Sequence, residues 1–429
     1  MQFKKTIRIT PHPQPLSHAS GERGEKTLLL APLPEFGLDS DSFGEEGRLI
    51  LVCLARPSEN TRMSREQLYQ WQAQIAHILP ELGYWQSLVV ALYSVGMVIA
   101  RQSSASRVAE VLGWMSKPES LRRRFERWVA NERVSWQGNC QDWSRWVLAR
   151  VGQAHPVLLV DETKLGNHLR VMVVGLAYQS CCLPLVFWAY VHMPCGQVEL
   201  ITTLLGWIDA VLPVGCQPLL QADRGIGTSP DLIRAVDRLG WHYLFRVQND
   251  TRCCTRAGHD RPLRHLVKRG ECWRGSGVVF KKAGWLAATV LVVWQPAYDQ
   301  AWCLVTNAAY VSDFTYALRY WQEAAFRDLK SDGWQWQTSR VWTPAHAQRL
   351  LLVMTLAYAY TLTLGTLVLT LPPLFRAVAR PGRRQHFSLF RLGLRLFALV
   401  YARYATWLVP SLLAQAADLP EPFRLCVGV

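Results

Sequence analysis

Carboxylates at three places in this 429-residue chain could do chemistry together. Asp161 ends the apolar run PVLLV (156–160), and Asp223 ends QPLLQA (217–222). Glu323 lies in YALRYWQEAAFRDLK (316–330). An Asp closing an apolar run is also a common turn former, so neither Asp is diagnostic alone. Three carboxylates brought together repel one another, and such a site is stable only with cations between them. Oxygen-only ligands select Mg²⁺ or Mn²⁺. Two such ions about 4 Å apart would activate a hydroxyl nucleophile and stabilise the leaving oxygen of a phosphodiester.

The stretch 316–330 has no Pro or Gly and is rich in good helix formers. One continuous helix is predicted, capped by Asp313 and stopped by Gly333. At 100° per residue, Tyr316, Arg319, Glu323 and Lys330 fall within about 60° of one another. A solvated face with an ordinary Arg319–Glu323 i,i+4 pair would satisfy that pattern too.

The spacing Y-x2-R-x3-E-x6-K resembles the signature of bacterial DDE transposases of insertion-sequence family 4. The resemblance covers roughly residues 63–410, and the triplet Asp223-Arg224-Gly225 is similar to the family's second-Asp motif. It implies that Asp161, Asp223 and Glu323 are the catalytic, metal-binding residues, holding two Mg²⁺ (or Mn²⁺) ions. It implies that Tyr316, Arg319 and Lys330 contact transposon-end DNA. The partners implied are the double-stranded terminal inverted repeats and target DNA, engaged by a homodimer in the synaptic complex. Strand cleavage at the element's ends and strand transfer into target DNA are the implied reactions. Family members often cut the second strand through a DNA hairpin.

The elements that must position these residues follow from hydropathy patterning. Residues 1–62 are rich in Pro, Gly, Ser and acidic residues, which predicts a disordered or non-native arm, with Met63 an alternative start. Residues 63–150 read as a helical DNA-binding domain. Within it, SKPESLRRRFERWVA (116–130) carries Arg122, Arg123, Arg124 and Arg127 as phosphate-contact candidates. A solvated basic face is the simpler alternative. From 151 to 248 the order β-β-β-α-β-α-β is that of the first part of an RNase H-like core, with apolar strands covered on both faces. Residues 249–300 read as a mostly β insertion, and 301–345 as the second part of the core, carrying the motif helix. Residues 346–429 read as a C-terminal helical region, with Arg380, Arg383, Arg384, Arg391, Arg395 and Arg403 as a basic amphipathic end. The fold class expected is therefore α/β: an RNase H-like core interrupted by a β insertion and flanked by helices. Glu162 reads as a solvated neighbour, Lys164 as a solvated lysine with a phosphate contact the alternative, and His155 and His168 as hydrogen-bonded structural residues rather than ligands. In the insertion, Trp273, Trp285 and Trp294 are candidates to stack on a base extruded during hairpin formation, with core packing the alternative for each.

Composition bounds the rest. A net charge of +15, mostly from Arg, points to a polyanionic partner. Eleven Cys without C-x-x-C spacing argue against a disulfide framework or structural zinc and suit reduced thiols in the cytoplasm. The start lacks the apolar core of a signal peptide. The run 350–375 has no charged residue and is long enough to span a bilayer, as a second uncharged run, 84–100, nearly is. An inner-membrane protein is thus a competing reading. The Tyr, Thr and Gly365 content favours a helix buried in a core, with no membrane partner and a nucleoid-associated location. A DNA-binding relative that no longer cuts is the other alternative.

Overall fold

The computed structural model describes residues 65–378, 388–404 and 406–413. The expected arm (1–62) and Arg380, Arg383 and Arg384 lie outside the described residues. The described chain opens with helices α1 (Arg65–Ile78), α2 (Tyr84–Ala100), α3 (Ala105–Val111), α4 (Pro118–Ala130) and α5 (Trp136–Val151). Each is amphipathic or buried for a local reason. Helix α4 starts with Pro118, suited to the first turn, and turns Leu121, Phe125 and Trp128 inward. Helix α5 is capped by Ser135, which accepts from Gly138 N, and ends at Gly152 in the left-handed conformation.

The sheet begins with β1 (Val157–Leu165), β2 (Leu169–Tyr178) and β3 (Cys181–Tyr190), an antiparallel meander. After helix α6 (Gln197–Asp209), β4 (Leu219–Ala222) returns parallel to β1. Helices α7 (Arg224–Gly227) and α8 (Pro230–Arg238) lead to β5 (His242–Arg246), parallel to β4. The order β3-β2-β1-β4-β5 with β2 reversed is the arrangement of an RNase H-like sheet. Residues 249–300 supply β6 (Arg252–Thr255), β7 (Asp260–Pro262), β8 (Cys272–Val279) and β9 (Leu286–Val293). These strands lengthen the same sheet instead of standing apart. Strand β10 (Trp302–Thr306) joins them to the core, antiparallel to both β5 and β9. The whole order is β3-β2-β1-β4-β5-β10-β9-β8-β6-β7.

The stretch 316–330 is not one helix. It forms α9 (Asp313–Ala317), a joint at Leu318–Arg319, α10 (Tyr320–Arg327) and a π-helical turn over Asp328–Asp332. The cap is Ser312, whose side chain accepts from Thr315 N, and not Asp313. The break has a packing cause. Tyr316 is buried against Leu219, Leu244, Leu291 and Leu304, whereas Ala325 and Phe326 pack into the larger, separate apolar cluster. A single straight helix would not serve both.

The uncharged C-terminal run forms α11 (Pro344–Thr370), followed by α12 (Pro372–Val378) and α13 (Leu389–Tyr404). Helix α11 is long and apolar enough to cross a membrane, yet 94 % of its most apolar window is buried within the protein. It is covered by β3, α2 and α13 rather than left facing outward. Its Thr361, Thr363 and Thr366 hydroxyls are satisfied by carbonyls one turn back. Such all-round burial explains an apolar helix with no charged face. The α11–α13 crossing is made of bare backbone. A methyl group on Gly393 would lie 1.8 Å from the Thr361 carbonyl oxygen.

Candidate active site

Three elements bring the three carboxylates to one edge of the sheet. Strand β1 pairs with β4 only as far as Val160↔Ala222, so Asp161 and Asp223 emerge side by side where the parallel pairing ends. Asp161 is not at a strand end, because β1 continues to Leu165 paired only with β2. Asp223 is the N-cap of α7. Helix α7 lies close on β5, and a Cβ on Gly227 would sit 2.6 Å from the Arg246 carbonyl oxygen, which explains glycine there.

Both aspartates divide their oxygens in the same way. Asp161 Oδ1 accepts from Glu162 N at 2.8 Å, and Asp223 Oδ1 accepts from Gly225 N and Ile226 N at 3.0 and 3.1 Å. Their Oδ2 atoms both turn to Arg319, whose Nη2 lies 2.8 Å from Asp161 Oδ2 and 3.7 Å from Asp223 Oδ2. Arg319 Nη1 donates to Glu323 Oε1 at 2.5 Å. One guanidinium therefore gathers all three carboxylates.

Burial falls off across the group: the side chains of Arg319, Asp161, Asp223 and Glu323 are 11, 17, 38 and 52 % exposed. Burial pushes the Asp161 carboxyl up to about 6; Arg319 pulls it down, while Asp223 and Glu323 push it further up. Burial opposes the charge on Arg319, but Asp161, Tyr316, Asp223 and Glu323 together raise its pKa above the usual value. The 2.8 Å contact is the geometry of an ionised, charge-assisted pair.

The remaining motif residues lie differently from their expected place on a DNA-facing surface. Tyr316 is only 5 % exposed, and burial pushes its hydroxyl up to about 12, so it is a core residue here. Lys330 is half-buried on the π-helical turn, its Nζ donating to the Lys164 carbonyl at 3.3 Å. Burial lowers its pKa and the nearby Asp161 charge raises it. Glu162 is not a solvated neighbour: it accepts from the Tyr190 hydroxyl and lies 3.6 Å from Arg170.

Two residues that pattern reading passed over hold this assembly. Gln322 and Gln221 are both 0 % exposed. Gln322 Nε2 donates to the carbonyls of Leu159 and Val173, 3.2 Å each, tying α10 to β1 and β2 beside Asp161. Gln221 Nε2 donates to Thr315 O at 2.8 Å, tying β4 to α9. For Gln221 the available signal was an amide inside the apolar run 217–222, since a buried polar group needs a partner.

Of the four arginines on α4, Arg122 and Arg123 are engaged within the helix by Glu119, and Arg122 also by Glu126. Arg124 and Arg127 are exposed and make no ion pair among the described residues. Sheet register separates the three tryptophans. Strand β9 runs parallel to β1, so its Val293 end, with Trp294 and the adjacent Trp273, lies at the carboxylate edge. Trp285 precedes the other end of β9 and carries Lys281 over its ring at 5.9 Å. The Trp294 indole N–H is already used by the Tyr298 carbonyl at 3.0 Å.

Among the described residues no three His, Cys, Asp or Glu side chains stand ready-spaced for a metal ion. The donor set nevertheless fits a hard divalent cation, because it is all oxygen and already gathers around one cationic group. The fit requires Arg319 to give up the centre.

Residues 187–360 match the family model of the transposase DDE domain. The match takes in Asp223 and Glu323, spans less than half of the chain, and leaves Asp161 outside. It supports a DDE transposase. No curated protein matches the chain. Among solved structures, a piggyBac transposase synaptic complex with hairpin DNA is similar at 11 % identity and a TM-score of 0.38, covering 83 % of this chain and 80 % of that one. A score that low does not establish a shared fold.

Proposed function

We propose that the chain is a DDE transposase of the insertion-sequence family 4 type, cutting DNA at the ends of its element and joining the freed 3′ ends to target DNA. The observation that carries this reading is the convergence of Asp161, Asp223 and Glu323, from a strand, a strand end and a helix, on a single point at the sheet edge. The transposase DDE domain match and the +15 charge agree with it.

Asp161, Asp223 and Glu323 would hold Mg²⁺ or Mn²⁺, with the Oδ1 contacts to backbone N–H groups fixing how each aspartate presents Oδ2. Bound there, such an ion would make a hydroxyl nucleophilic and stabilise the leaving oxygen of the phosphodiester. Gln322 and Gln221 hold the helix side of the site against the strand side. Lys330, half-buried beside β1, would meet a phosphate of the end DNA. Arg124 and Arg127 would track the backbone further out, as would Arg122 and Arg123 once released from Glu119. Trp273 and Trp294 would support an extruded base near the carboxylates. A homodimer engaging two ends, in the cytoplasm and on the nucleoid, completes the proposal.

The test is a nicking assay in Mg²⁺ or Mn²⁺ on DNA carrying the inverted repeats that flank the gene, beside an affinity measurement on the same DNA. Asp161→Asn, Asp223→Asn and Glu323→Gln should each abolish nicking while keeping or slightly strengthening binding, because negative charge is removed near a polyanion. Binding by the wild type with no cleavage under any divalent ion would instead identify a relative that binds DNA without cutting.

A further inference from the structure

We propose that Arg319 is the resident counter-ion of the metal-free site, and that divalent metal and the Arg319 guanidinium compete for the same three carboxylates. The proposal rests on the reading of Asp161, Asp223 and Glu323 as the metal site, and adds a role for Arg319 that the motif alone does not contain.

Geometry carries it. A guanidinium facing DNA would point its fork outward; this one points inward, with Nη2 shared by Asp161 and Asp223 and Nη1 on Glu323. The side chain is 11 % exposed, so the charge is largely withdrawn from water, and among the described residues its ion pairs are with these three carboxylates. Among the described residues its Nε is buried without a hydrogen-bond partner, so its hydrogen bonds are those of the terminal fork. Three carboxylates gathered without any cation would repel, and Arg319 supplies a positive charge in contact with all three that lets them meet.

The backbone around it allows departure. Arg319 sits in the joint between α9 and α10, where the hydrogen bonds are three-residue turns: Leu318 N to Thr315 O, Arg319 N to Tyr316 O and Gln322 N to Arg319 O. The helices on either side are fixed independently, α9 by Tyr316 burial and Gln221, and α10 by Gln322. Only the Arg319 side chain must swing. A divalent ion at the carboxylates both takes its partners and repels it, and the released guanidinium becomes a phosphate contact. Metal loading and end contact are thereby coupled through one side chain.

The experiment uses the full-length protein without DNA. Mn²⁺ affinity is measured by calorimetry, and thermal stability is measured in EDTA and in Mn²⁺, for wild type, Arg319→Gln, Arg319→Lys and Asp223→Asn. Arg319→Gln should bind Mn²⁺ about tenfold more tightly or better, since a competing charge a few ångströms from the ion is gone. It should also melt lower than wild type in EDTA and gain more from Mn²⁺. Arg319→Lys keeps a charge but loses the fork that spans three carboxylates, so its gain in Mn²⁺ affinity should be smaller. This variant serves if Arg319→Gln does not fold. Unchanged or weaker Mn²⁺ binding in the Arg319 variants overturns the proposal, as does an unaltered melting point in EDTA. Asp223→Asn separates the two levels. Mn²⁺ binding lost in Asp223→Asn but indifferent to Arg319 sinks the counter-ion role alone. Mn²⁺ binding that survives Asp223→Asn sinks the metal-site reading and this inference with it.

Discussion

Asp328 is a carboxylic acid buried in the segment that carries Lys330, and its stability contribution should run against pH in a measurable way. It is 7 % exposed, and its Oδ2 accepts from the Tyr358 hydroxyl at 3.3 Å. Burial pushes its carboxyl up from 3.8 to about 7; Tyr358 opposes this, Asp332 adds to it, and Arg391 and Arg327 pull back. Cys181, on β3, lies on the same Tyr358 hydroxyl and stays a neutral thiol over the working range because burial pushes its pKa up to about 12. A carboxyl whose folded pKa is raised keeps its proton in the folded protein after the unfolded chain has lost it. Between about pH 4 and pH 7 the folded state therefore binds the extra proton, and stability falls as pH rises. At about 1.4 kcal/mol per unit over about three units, the charged form costs on the order of 4 kcal/mol by pH 8. Asp328→Asn keeps an acceptor for Tyr358 and removes the charge. Relative to wild type it should be more stable by a few kcal/mol at pH 8, or several degrees in Tm, and near equal at pH 4. The measurement is the difference in melting temperature between variant and wild type at pH 4, 6 and 8, which cancels the pH response of the rest of the chain. A difference that stays flat across that range, or grows toward acid, would show that Asp328 is not held neutral by burial.

Other predictions address the frame around the carboxylates. Gln322→Leu removes the donor shared by Leu159 O and Val173 O, and should cost about 2 kcal/mol of stability. It should also weaken Mn²⁺ binding, which calorimetry would show; metal affinity equal to wild type would mean that α10 is positioned without it. Arg124→Gln and Arg127→Gln should each flatten the salt dependence of DNA affinity by about one unit of slope. Arg122→Gln should do less, because Glu119 and Glu126 already engage that side chain; equal slopes for all three would place the whole helix face on DNA. If the second strand is cut through a hairpin, Trp294→Ala or Trp273→Ala should slow hairpin formation and spare the first nick, with Trp285→Ala indistinguishable from wild type. A hairpin defect confined to Trp285→Ala would refute the register-based assignment. Gly393→Ala places a methyl group against the Thr361 carbonyl, and should destabilise the protein by about 3 kcal/mol in a thermal melt.

Local pattern made the carboxylates and the α/β class legible in the sequence. Apolar runs that precede Asp mark buried strands, because strand hydropathy is a property of a few adjacent residues; only at Asp223 does the Asp also mark the exit, since β1 runs on past Asp161 to Leu165. The Y-x2-R-x3-E-x6-K spacing singled out Glu323 by the same kind of short-range rule, and helix burial could be expected for the 350–375 run from its lack of a polar face. Tertiary packing decided what short-range rules could not. Helix propensity across 316–330 is unbroken, yet Tyr316 and Phe326 belong to different apolar clusters, and their burial outweighs the small local preference for continuing one helix. Whether residues 249–300 form a separate body or lengthen the core sheet depends on the β9–β10–β5 pairing, which joins residues about sixty positions apart. The partners of Arg319 were also undetermined: four residues along the chain the sequence offers Glu323, and the parallel pairing of β1 with β4 is what sets Asp161 and Asp223 beside the same guanidinium. Charge is written in the sequence, but the anion that a given cation faces is set by which strands meet.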